Sequence, residues 1–312
     1  MTSSANIPVP QSISAEAQAF LSMGPITGSP FPPLDDAEAW RKLVAQMDAQ
    51  LAFLAQVPES VEVTDVVIDG VRCFDIRPRQ LVGSADSVVI DFHSGGLIAG
   101  GGAVARGLAG TFAAGVNRHF ISVDYRMPPD HPYPAALDDC MAVYKAVLRD
   151  YAPEKIIIHG GSAGGNLAAA MILRARDEGL PMPAGVILLT PEVDLTESGD
   201  SFQTNKHLDI ILTTSLMQAN LLYANGADLS HPYLSPLFGD FSKGFPPTFL
   251  ATGTRDLFLS NTVRMHCALL AAGVRAELYV VEAAPHGGFP LAPEGQAMTA
   301  QVARFINNLW SV

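Results

Sequence analysis

The chain has 312 residues, a hydrophobic fraction of 48%, a charged fraction of 16% and a formal net charge of −12. This composition can bury a large core, either as one large α/β domain with an inserted cap or as two modest domains. The negative charge is spread along the sequence without an acidic tail. It argues against nucleic-acid binding, because that function requires a basic surface.

The three cysteines, Cys73, Cys140 and Cys267, are too few and too scattered for a disulfide framework or a zinc site. We interpret them as structural thiols, which suits a reducing compartment. Residues 1–11 contain neither a basic segment nor an apolar run, so no secretory signal is visible. No apolar stretch is long enough to span a bilayer. We therefore expect a cytoplasmic protein without stable membrane insertion.

The N-terminal region is predicted to be helical and to lie outside the sheet. Residues 1 to about 12 are rich in proline and serine and are predicted to be extended or mobile. Helices are predicted over residues 14–21 and 37–55, the second one capped at Asp35 or Asp36. Its apolar face consists of Trp40, Leu43, Met47, Leu51 and Leu54. We predict that residues 1–55 form an N-terminal helical cap segment.

From residue 61 onwards, strand and helix patterns alternate. Asp69-Gly70 separates two alternating β-branched runs, which predicts a β-hairpin over residues 61–77. Further strands are predicted at 87–92, 120–124, 186–189, 248–252 and 276–281, and helices at 103–116, 134–150, 260–272 and 293–310. The alternation implies a twisted, mostly parallel sheet with helices on both faces, in a catalytic domain spanning residues 56–312.

One segment interrupts this alternation. Residues 195–236 contain no clear buried strand, and only residues 212–223 have a helical pattern. An insertion after a core strand, at the end of the sheet where sites form, is typical of a cap or lid.

The most informative stretch is Ile156 to Ala170, in which three isoleucines lead into a glycine-rich turn and a run of helix formers. The turn has the pattern Gly-x-Ser-x-Gly around Ser162, which between a strand and a helix is typical of a nucleophile elbow. Such a turn is so sharp that the residues two before and two after the serine, Gly160 and Gly164, must lack side chains. The alternative is a phosphate-binding βα turn, but its Gly-Lys-Ser/Thr and Gly-x-Gly-x-x-Gly patterns are missing.

A nucleophilic serine needs a base, and the base needs a group that orients it. In this arrangement the order along the chain is serine, acid, histidine. His286 lies just past the strand at 276–281, on the same sheet edge as Ser162, and is the candidate base. His266 lies within a predicted helix, and His207 and His231 lie in the insertion, where they could at most line a pocket.

The acid should also follow a strand directly. Asp256 follows the strand at 248–252 and is the candidate. Glu282 follows its strand too, but it is so close to His286 along the chain that we interpret it as a surface or hinge carboxylate. Asp194 follows the strand that ends at Leu189, and it could instead support the cap.

The oxyanion of a tetrahedral intermediate needs N–H donors. One donor belongs to the residue after the nucleophile, Ala163, and the others should come from the loop after an earlier strand. Residues 91–97 form that loop, and its glycines let the backbone approach the substrate closely.

Two stretches carry a family resemblance. The sequence His93-Ser94-Gly95-Gly96 is similar to the His-Gly-Gly-Gly motif of the hormone-sensitive-lipase-like esterases, the bacterial family IV of the α/β-hydrolase superfamily. Residues 124–139 resemble the long Asp-Tyr-Arg…Pro…His-Pro-x-Pro-Ala-Ala…Asp-Asp stretch of the same family. With the elbow and the neighbourhoods of Asp256 and His286, the resemblance covers about residues 60–312.

The resemblance implies the α/β-hydrolase fold, a catalytic triad of Ser162, Asp256 and His286, and no cofactor or metal. It implies an oxyanion hole made of the N–H groups of Gly95, Gly96 and Ala163. It further implies that His93 holds its loop, and that the surroundings of Asp124, Arg126 and His131 support the site without reacting. Homodimerisation through the edge strand at 276–281 and its neighbouring helix is also a family expectation.

The chain departs from the family pattern at two positions. Ser94 replaces the first glycine of the motif, and its hydroxyl could bond a loop group or tune the acyl pocket. Gly161 stands before the nucleophile, where the family often has aspartate or threonine, which removes a supporting hydrogen bond.

The leading hypothesis is a serine carboxylesterase that acts on short- to medium-chain esters through an acyl-enzyme. The same groups would open a lactone, hydrolyse an activated amide or remove an acetyl group. Residues 257–260 weakly resemble the corresponding segment of lactone hydrolases. A non-catalytic ligand receptor on the same fold is a remote alternative, because such proteins typically lose the histidine.

Overall fold

A computed structural model describes residues 7–26, 28, 30–81 and 86–310. Its strands are β1 (Val61–Ile68), β2 (Val71–Pro78), β3 (Val88–Phe92), β4 (Phe120–Val123), β5 (Ile156–Gly161), β6 (Gly185–Leu189), β7 (Thr248–Gly253) and β8 (Ala276–Val281). They form one sheet in the order β1-β2-β4-β3-β5-β6-β7-β8. The pairs β1–β2 and β2–β4 are antiparallel, and the other neighbours are parallel. The predicted hairpin and the mostly parallel sheet are confirmed.

Helices cover both faces of this sheet, as expected. The helices after the hairpin are α3 (Ala103–Val116), α4 (Ala135–Asp150), α5 (Ala163–Asp177), α6 (Ser201–Thr204), α7 (Met217–Ala224), α8 (Leu259–Ala271) and α9 (Pro293–Trp310). They are preceded in the chain by α1 (Ala15–Ser22) and α2 (Ala37–Gln50). Strand β3 shows why its sequence is apolar throughout. Val88 and Ile90 pack with α4 and α5 on one face, while Val89 packs with α3 and α9 on the other.

The register of the parallel strands brings their carboxyl ends to one edge of the sheet. Phe92 at the end of β3 is opposite Gly160, and Gly161 is opposite Leu189. At the end of β7, Gly253 is opposite Val281 of β8. The loops after β3, β5, β7 and β8 therefore leave the sheet at the same edge, and these loops carry the candidate residues.

The N-terminal segment packs across that edge. Helix α1 contacts the loop after β8 through Ala17 and Leu21, which lie in one apolar cluster with Phe289. Helix α2 contacts the loop after β3, because Trp40 and Leu43 cluster with Ile98, Ala99 and Ala219. Of the N-terminal residues that were expected to be extended, 1–6 lie outside the described part of the chain, and residues 7–10 have no regular structure.

The helix expected over residues 37–55 is shorter than predicted. Helix α2 ends at Gln50, and a 3₁₀ turn, Ala52–Ala55, follows. The turn presses its backbone against α3, where a Cβ on Gly107 would lie 2.1 Å from the carbonyl oxygen of Leu54. A straight continuation of α2 would not make this contact. At its other end, helix α2 is capped by Asp36, whose carboxylate accepts the N–H of Ala39.

The insertion between β6 and β7 contains no strand, as expected, but its helix begins late. Helix α7 starts at Met217 rather than at residue 212. The preceding loop is held instead by Asp209, whose carboxylate accepts the N–H groups of Ile211 and Leu212 at 2.9 and 3.1 Å. The short helix α6 had no signal in the sequence.

The fit between Gly107 and the 3₁₀ turn can be tested by substitution. Gly107→Ala should lower the free energy of unfolding by about 1–3 kcal/mol, because the added methyl meets backbone atoms that cannot rotate away. Gly110→Ala in the same helix is the matched control. Its Cβ meets side chains no closer than 3.5 Å, so the better helix propensity of alanine should raise stability by up to about 1 kcal/mol. Urea denaturation of both variants measures the difference, and equal effects would contradict the tight contact.

Candidate active site

The elbow has the backbone geometry that its glycines require. Ser162 lies between β5 and α5 with φ 53° and ψ −120°, a conformation that L-residues rarely adopt. A Cβ on Gly160 would lie 2.1 Å from the Gly164 carbonyl oxygen, and a Cβ on Gly164 would lie 1.8 Å from that of Phe92. The expectation that both positions must lack side chains is confirmed.

The structure brings Ser162, His286 and Asp256 together. Nε2 of His286 lies 2.8 Å from Oγ of Ser162, and Nδ1 lies 3.0 Å from Oδ1 of Asp256. Asp256 is fully buried, and it also accepts hydrogen bonds from Oγ1 of Thr252 at 2.7 Å and from the N–H of Phe258 at 2.9 Å. An acceptor with these partners holds the ring proton on Nδ1, which leaves Nε2 to accept the serine proton.

The surroundings of His286 favour its protonated form. Burial lowers the pKa of this imidazole, but the charge and hydrogen bond of Asp256 and the charges of Asp209 and Glu192 outweigh that effect, so the pKa is raised above its ordinary value. An imidazole with these neighbours is a stronger base than an isolated buried histidine.

The loop after β3 presents N–H groups beside the elbow. Gly95 has φ 137° and Gly96 has φ 62°, and a Cβ on Gly95 would lie 1.8 Å from the Ala99 carbonyl oxygen. Within the described residues, the N–H groups of Gly95, Gly96 and Ala163 donate to no acceptor. Ala163 is the first residue of α5, so its N–H lies at the positive end of the helix dipole.

The two departures from the family pattern contact each other. Oγ of Ser94 donates to the carbonyl oxygen of Gly161 at 3.0 Å, and a Cβ on Gly161 would lie 3.0 Å from the same Oγ. The Ser94 hydroxyl thus bonds a loop group, and it occupies space that a side chain at position 161 would need.

His93 holds its own loop. Its Nδ1 lies 2.8 Å from the carbonyl oxygen of Ser94, and its ring stacks on Tyr125 with 3.9 Å between ring centroids. The hydroxyl of Tyr125 donates to the His93 carbonyl oxygen at 2.7 Å. In the stretch 124–139, Asp124 accepts the N–H of Gly102 at 2.8 Å, and Arg126 pairs with Asp139. These contacts support the loop and do not reach Ser162.

The other histidines after Ser162 lie apart from it. His207 and His231 are exposed, and His266 lies on α8. His231 lines a surface pocket with Arg176 and Tyr233. None of these three contacts Ser162 in the described structure.

The alternative acids also have other partners. Glu282 is exposed and accepts a hydrogen bond from Ser12, as expected for a surface carboxylate. Asp194 is buried and accepts from Thr196, Ser198 and Arg264, so it braces the insertion.

Two carboxylates near the site were missed in the sequence. Glu192 is fully buried, and its N–H donates to the Ser162 carbonyl oxygen at 3.1 Å. It follows β6 closely, a position that could have singled it out. Asp209 is 2% exposed, and its carboxylate accepts the N–H of His286 at 3.2 Å. It lies in the insertion, where no sequence pattern marked it.

The described residues hold neither a candidate metal site nor a membrane-spanning helix. They contain no group of three or more His, Cys, Asp or Glu side chains arranged to hold a metal ion. None of their helices combines the length and the apolar character needed to cross a membrane.

Comparisons with known proteins identify the family of this chain. A family model described as the α/β-hydrolase fold matches residues 89–290. The carboxylesterase NlhH of Mycobacterium tuberculosis is 32% identical over 270 residues, which cover 82% of this chain and 83% of that protein. The crystal structure of an esterase, E25, has a TM-score of 0.90 at 35% identity, covering 97% of this chain and 96% of its own. A crystal structure of an esterase from the bacterial hormone-sensitive lipase family has a TM-score of 0.78 at 28% identity, covering 90% and 93%. The chain belongs to the α/β-hydrolase family, in its hormone-sensitive-lipase-like branch.

The buried Glu192 makes folding sensitive to pH. Burial raises the pKa of its carboxyl to about 8 from an ordinary 4.5, although the side chain of Asn220 partly offsets this effect. No described group meets either carboxyl oxygen with hydrogen-bond geometry. An unpaired charge at this buried position would be costly, so the carboxyl keeps its proton to a higher pH.

As the pH rises from about 4.5 to about 8, the unfolded chain loses the Glu192 proton and the folded chain keeps it. This group should therefore lower the free energy of unfolding by up to about 1.4 kcal/mol per pH unit in that window. Glu192→Gln should remove this contribution. Urea denaturation of both proteins at several pH values measures it, and parallel pH dependences would contradict the raised pKa.

Proposed function

We propose that Ser162 is the nucleophile, His286 the general base and Asp256 the orienting acid of this carboxylic ester hydrolase. The observation that carries the assignment is the continuous hydrogen-bonded chain from Oγ of Ser162 through both ring nitrogens of His286 to Asp256, at 2.8 and 3.0 Å. Nucleophile, base and orienting group in this contact are the arrangement that activates a serine hydroxyl.

The proposed reaction has two halves. Oγ of Ser162 attacks the ester carbonyl carbon while Nε2 of His286 takes its proton, and the N–H groups of Gly95, Gly96 and Ala163 stabilise the oxyanion. His286 then protonates the leaving alcohol, and an acyl-enzyme remains. Water attacks the acyl-enzyme with His286 again as base, which frees the acid and restores Ser162. The raised pKa of His286 suits both proton transfers.

The substrates that we propose are short- to medium-chain esters. A lactone is an internal ester and would react through the same steps, as would an activated amide or an acetylated compound. The receptor alternative has no support here, because the base is present and bonded to the serine.

The triad can be tested by single and paired substitutions. Ser162→Ala and His286→Ala should each lower kcat for p-nitrophenyl acetate and butyrate by at least ~10⁴-fold, and the double variant should be no slower, because triad members act as a unit. Release of nitrophenol is the measurement. Wild-type rates in Ser162→Ala would exclude the hydrolase mechanism, and wild-type rates in His286→Ala would move the base elsewhere.

We also propose that residues 1–55 and 195–236 form a cap over the catalytic domain, residues 56–312. The support is the packing of α1 and α2 on the loops after β8 and β3. A polar contact joins the same parts, since the carboxylate of Asp48 in α2 accepts the N–H of Gly100 at 2.8 Å. The cap would then support the oxyanion loop as well as cover it.

Asp48→Ala should lower kcat roughly tenfold, which is less than the 10²–10³-fold loss expected when an oxyanion donor itself is removed. Asp36→Ala is the matched control. It removes the N-cap of the same helix and should cost about 1 kcal/mol of stability, but it leaves the Gly100 contact in place. Steady-state rates and thermal midpoints separate the two effects. A normal kcat in Asp48→Ala would contradict support of the loop by the cap.

Homodimerisation and a cytoplasmic location are further proposals. Strand β8 is an edge strand with Val280 exposed, and Leu270 and Val263 are exposed on the neighbouring α8. Cys73, Cys140 and Cys267 are free thiols, the last of them exposed rather than buried, which suits a reducing compartment. Sedimentation equilibrium tests the first proposal, and cell fractionation tests the second.

A further inference from the structure

Asp209 receives backbone hydrogen bonds from three separate places in the chain. Its Oδ1 accepts the N–H groups of Ile211 and Leu212, at 2.9 and 3.1 Å, in its own loop of the insertion. Its Oδ2 accepts the N–H of Leu257 at 2.8 Å, and both oxygens accept that of His286, at 3.3 and 3.2 Å. Leu257 directly follows the proposed acid, and His286 is the proposed base.

Only a carboxylate satisfies this set of donors. Both oxygens face N–H groups, so an amide would turn its own NH₂ towards a donor. Asp209 is only 2% exposed, and a charge buried to that extent without partners would be costly. Here its carboxylate oxygens accept hydrogen bonds only from N–H donors. Hydrogen bonds to an ionised acceptor are also stronger than those between neutral groups.

The contact bears on catalysis because acid and base lie on different loops. Asp256 follows β7 and His286 follows β8, so their 3.0 Å hydrogen bond depends on how the two backbones are spaced. Asp209 bonds the backbone of both loops with a single rigid group. A second residue of the insertion, Asn205, adds to this support by donating to the Asp256 carbonyl oxygen at 2.8 Å.

We infer that Asp209 is a positioning residue for the ester hydrolysis, which ties the cap insertion to the acid loop and the base loop and places a negative charge beside the imidazolium. This inference rests on the proposed function, because it needs Asp256 and His286 to react as described.

The electrostatic consequence follows from the groups that face His286. These are Ser162 on Nε2, Asp256 on Nδ1, Asp209 at the backbone N–H, and Glu192. The charges of Asp256 and Asp209 raise the pKa of His286 against the effect of burial, and that of Glu192 adds to them only once Glu192 is ionised. Removal of the Asp209 charge should therefore lower that pKa, and the acid limb of kcat/KM should move to lower pH.

The experiment compares Asp209→Asn and Asp209→Ala with wild type on p-nitrophenyl butyrate. We expect kcat to fall about 10- to 100-fold, as for small misplacements of reacting groups, with KM little changed. We also expect the acid limb of the kcat/KM profile to move to lower pH in Asp209→Asn. Wild-type kcat with an unmoved acid limb in folded Asp209 variants would overturn the inference.

Asp194→Asn is the matched control, since Asp194 is an equally buried carboxylate of the same insertion that braces Arg264 instead of the triad loops. It should lower the thermal midpoint but leave the acid limb in place. An acid limb that moves equally in Asp194→Asn would make the effect of Asp209 a general loss of structure and would overturn the inference.

Two further measurements keep the test decisive. If Asp209 variants fail to fold, amide hydrogen exchange in the wild type reports on the same contacts. The N–H groups of Leu257 and His286 donate to Asp209 and should therefore be protected from exchange with solvent. Exchange of either group at the rate of a free amide would overturn the inference. Ser162→Ala, assayed with p-nitrophenyl butyrate, distinguishes a failure of the proposed function from a failure of the positioning role. Wild-type activity in that variant overturns the proposed function, whereas its inactivity beside normal Asp209 variants overturns only the positioning role.

Discussion

The backbone contact at the elbow is the constraint on which the rest of the site depends. Gly160 and Gly164 lie so close to neighbouring carbonyl groups that neither could carry a Cβ. This contact holds Ser162 in a backbone conformation that costs on the order of 1–3 kcal/mol, and the fully buried start of α5 holds it in place. The same contact brings the end of β3 beside the elbow, since Gly164 packs on the carbonyl of Phe92. The position of the serine and the position of the oxyanion loop are therefore decided together.

Three buried carboxylates surround His286, and their partners give them different properties. Asp256 accepts from a hydroxyl, a backbone N–H and the imidazole, so it is fixed against the His286 ring. Asp209 accepts backbone N–H groups from three places in the chain. Glu192 has no such donors, and burial raises its pKa to about 8. The number and kind of hydrogen-bond donors, rather than the residue type, separate an ionised carboxylate from one that keeps its proton. The charges of Asp256 and Asp209 therefore act strongly on His286, because a buried site screens charge poorly, whereas Glu192 adds its charge only when it loses its proton at a pH of about 8.

Local patterns predicted the sheet and the helices behind it with errors of one or two residues at their ends. They failed where a tertiary contact changed a local preference. Helix α2 gives way after Gln50 to a 3₁₀ turn whose backbone packs on Gly107 of α3. Helix α7 starts at Met217 rather than at residue 212. In the site, the position of Asp256 and His286 after their strands was enough to choose them over the alternatives. The partner of Ser94 was left open between a loop group and the acyl pocket, because a hydroxyl on a loop can rotate towards either.

By itself, the sequence determined the α/β class, the order of the strands along the chain, the elbow and the residues that could serve as nucleophile, acid and base. These follow from periodicity, from the steric demands of a glycine-rich turn and from the rule that parallel strands end at one edge of the sheet. Only the tertiary structure decided which backbone groups meet at that edge. It joined Ser94 to Gly161, buried the Glu192 carboxyl without a hydrogen-bond donor among the described residues, and placed Asp209 between the loops after β7 and β8. The physical reason is that each of these contacts joins segments far apart in the chain, and no local pattern of residues records which distant N–H group or carbonyl will lie opposite.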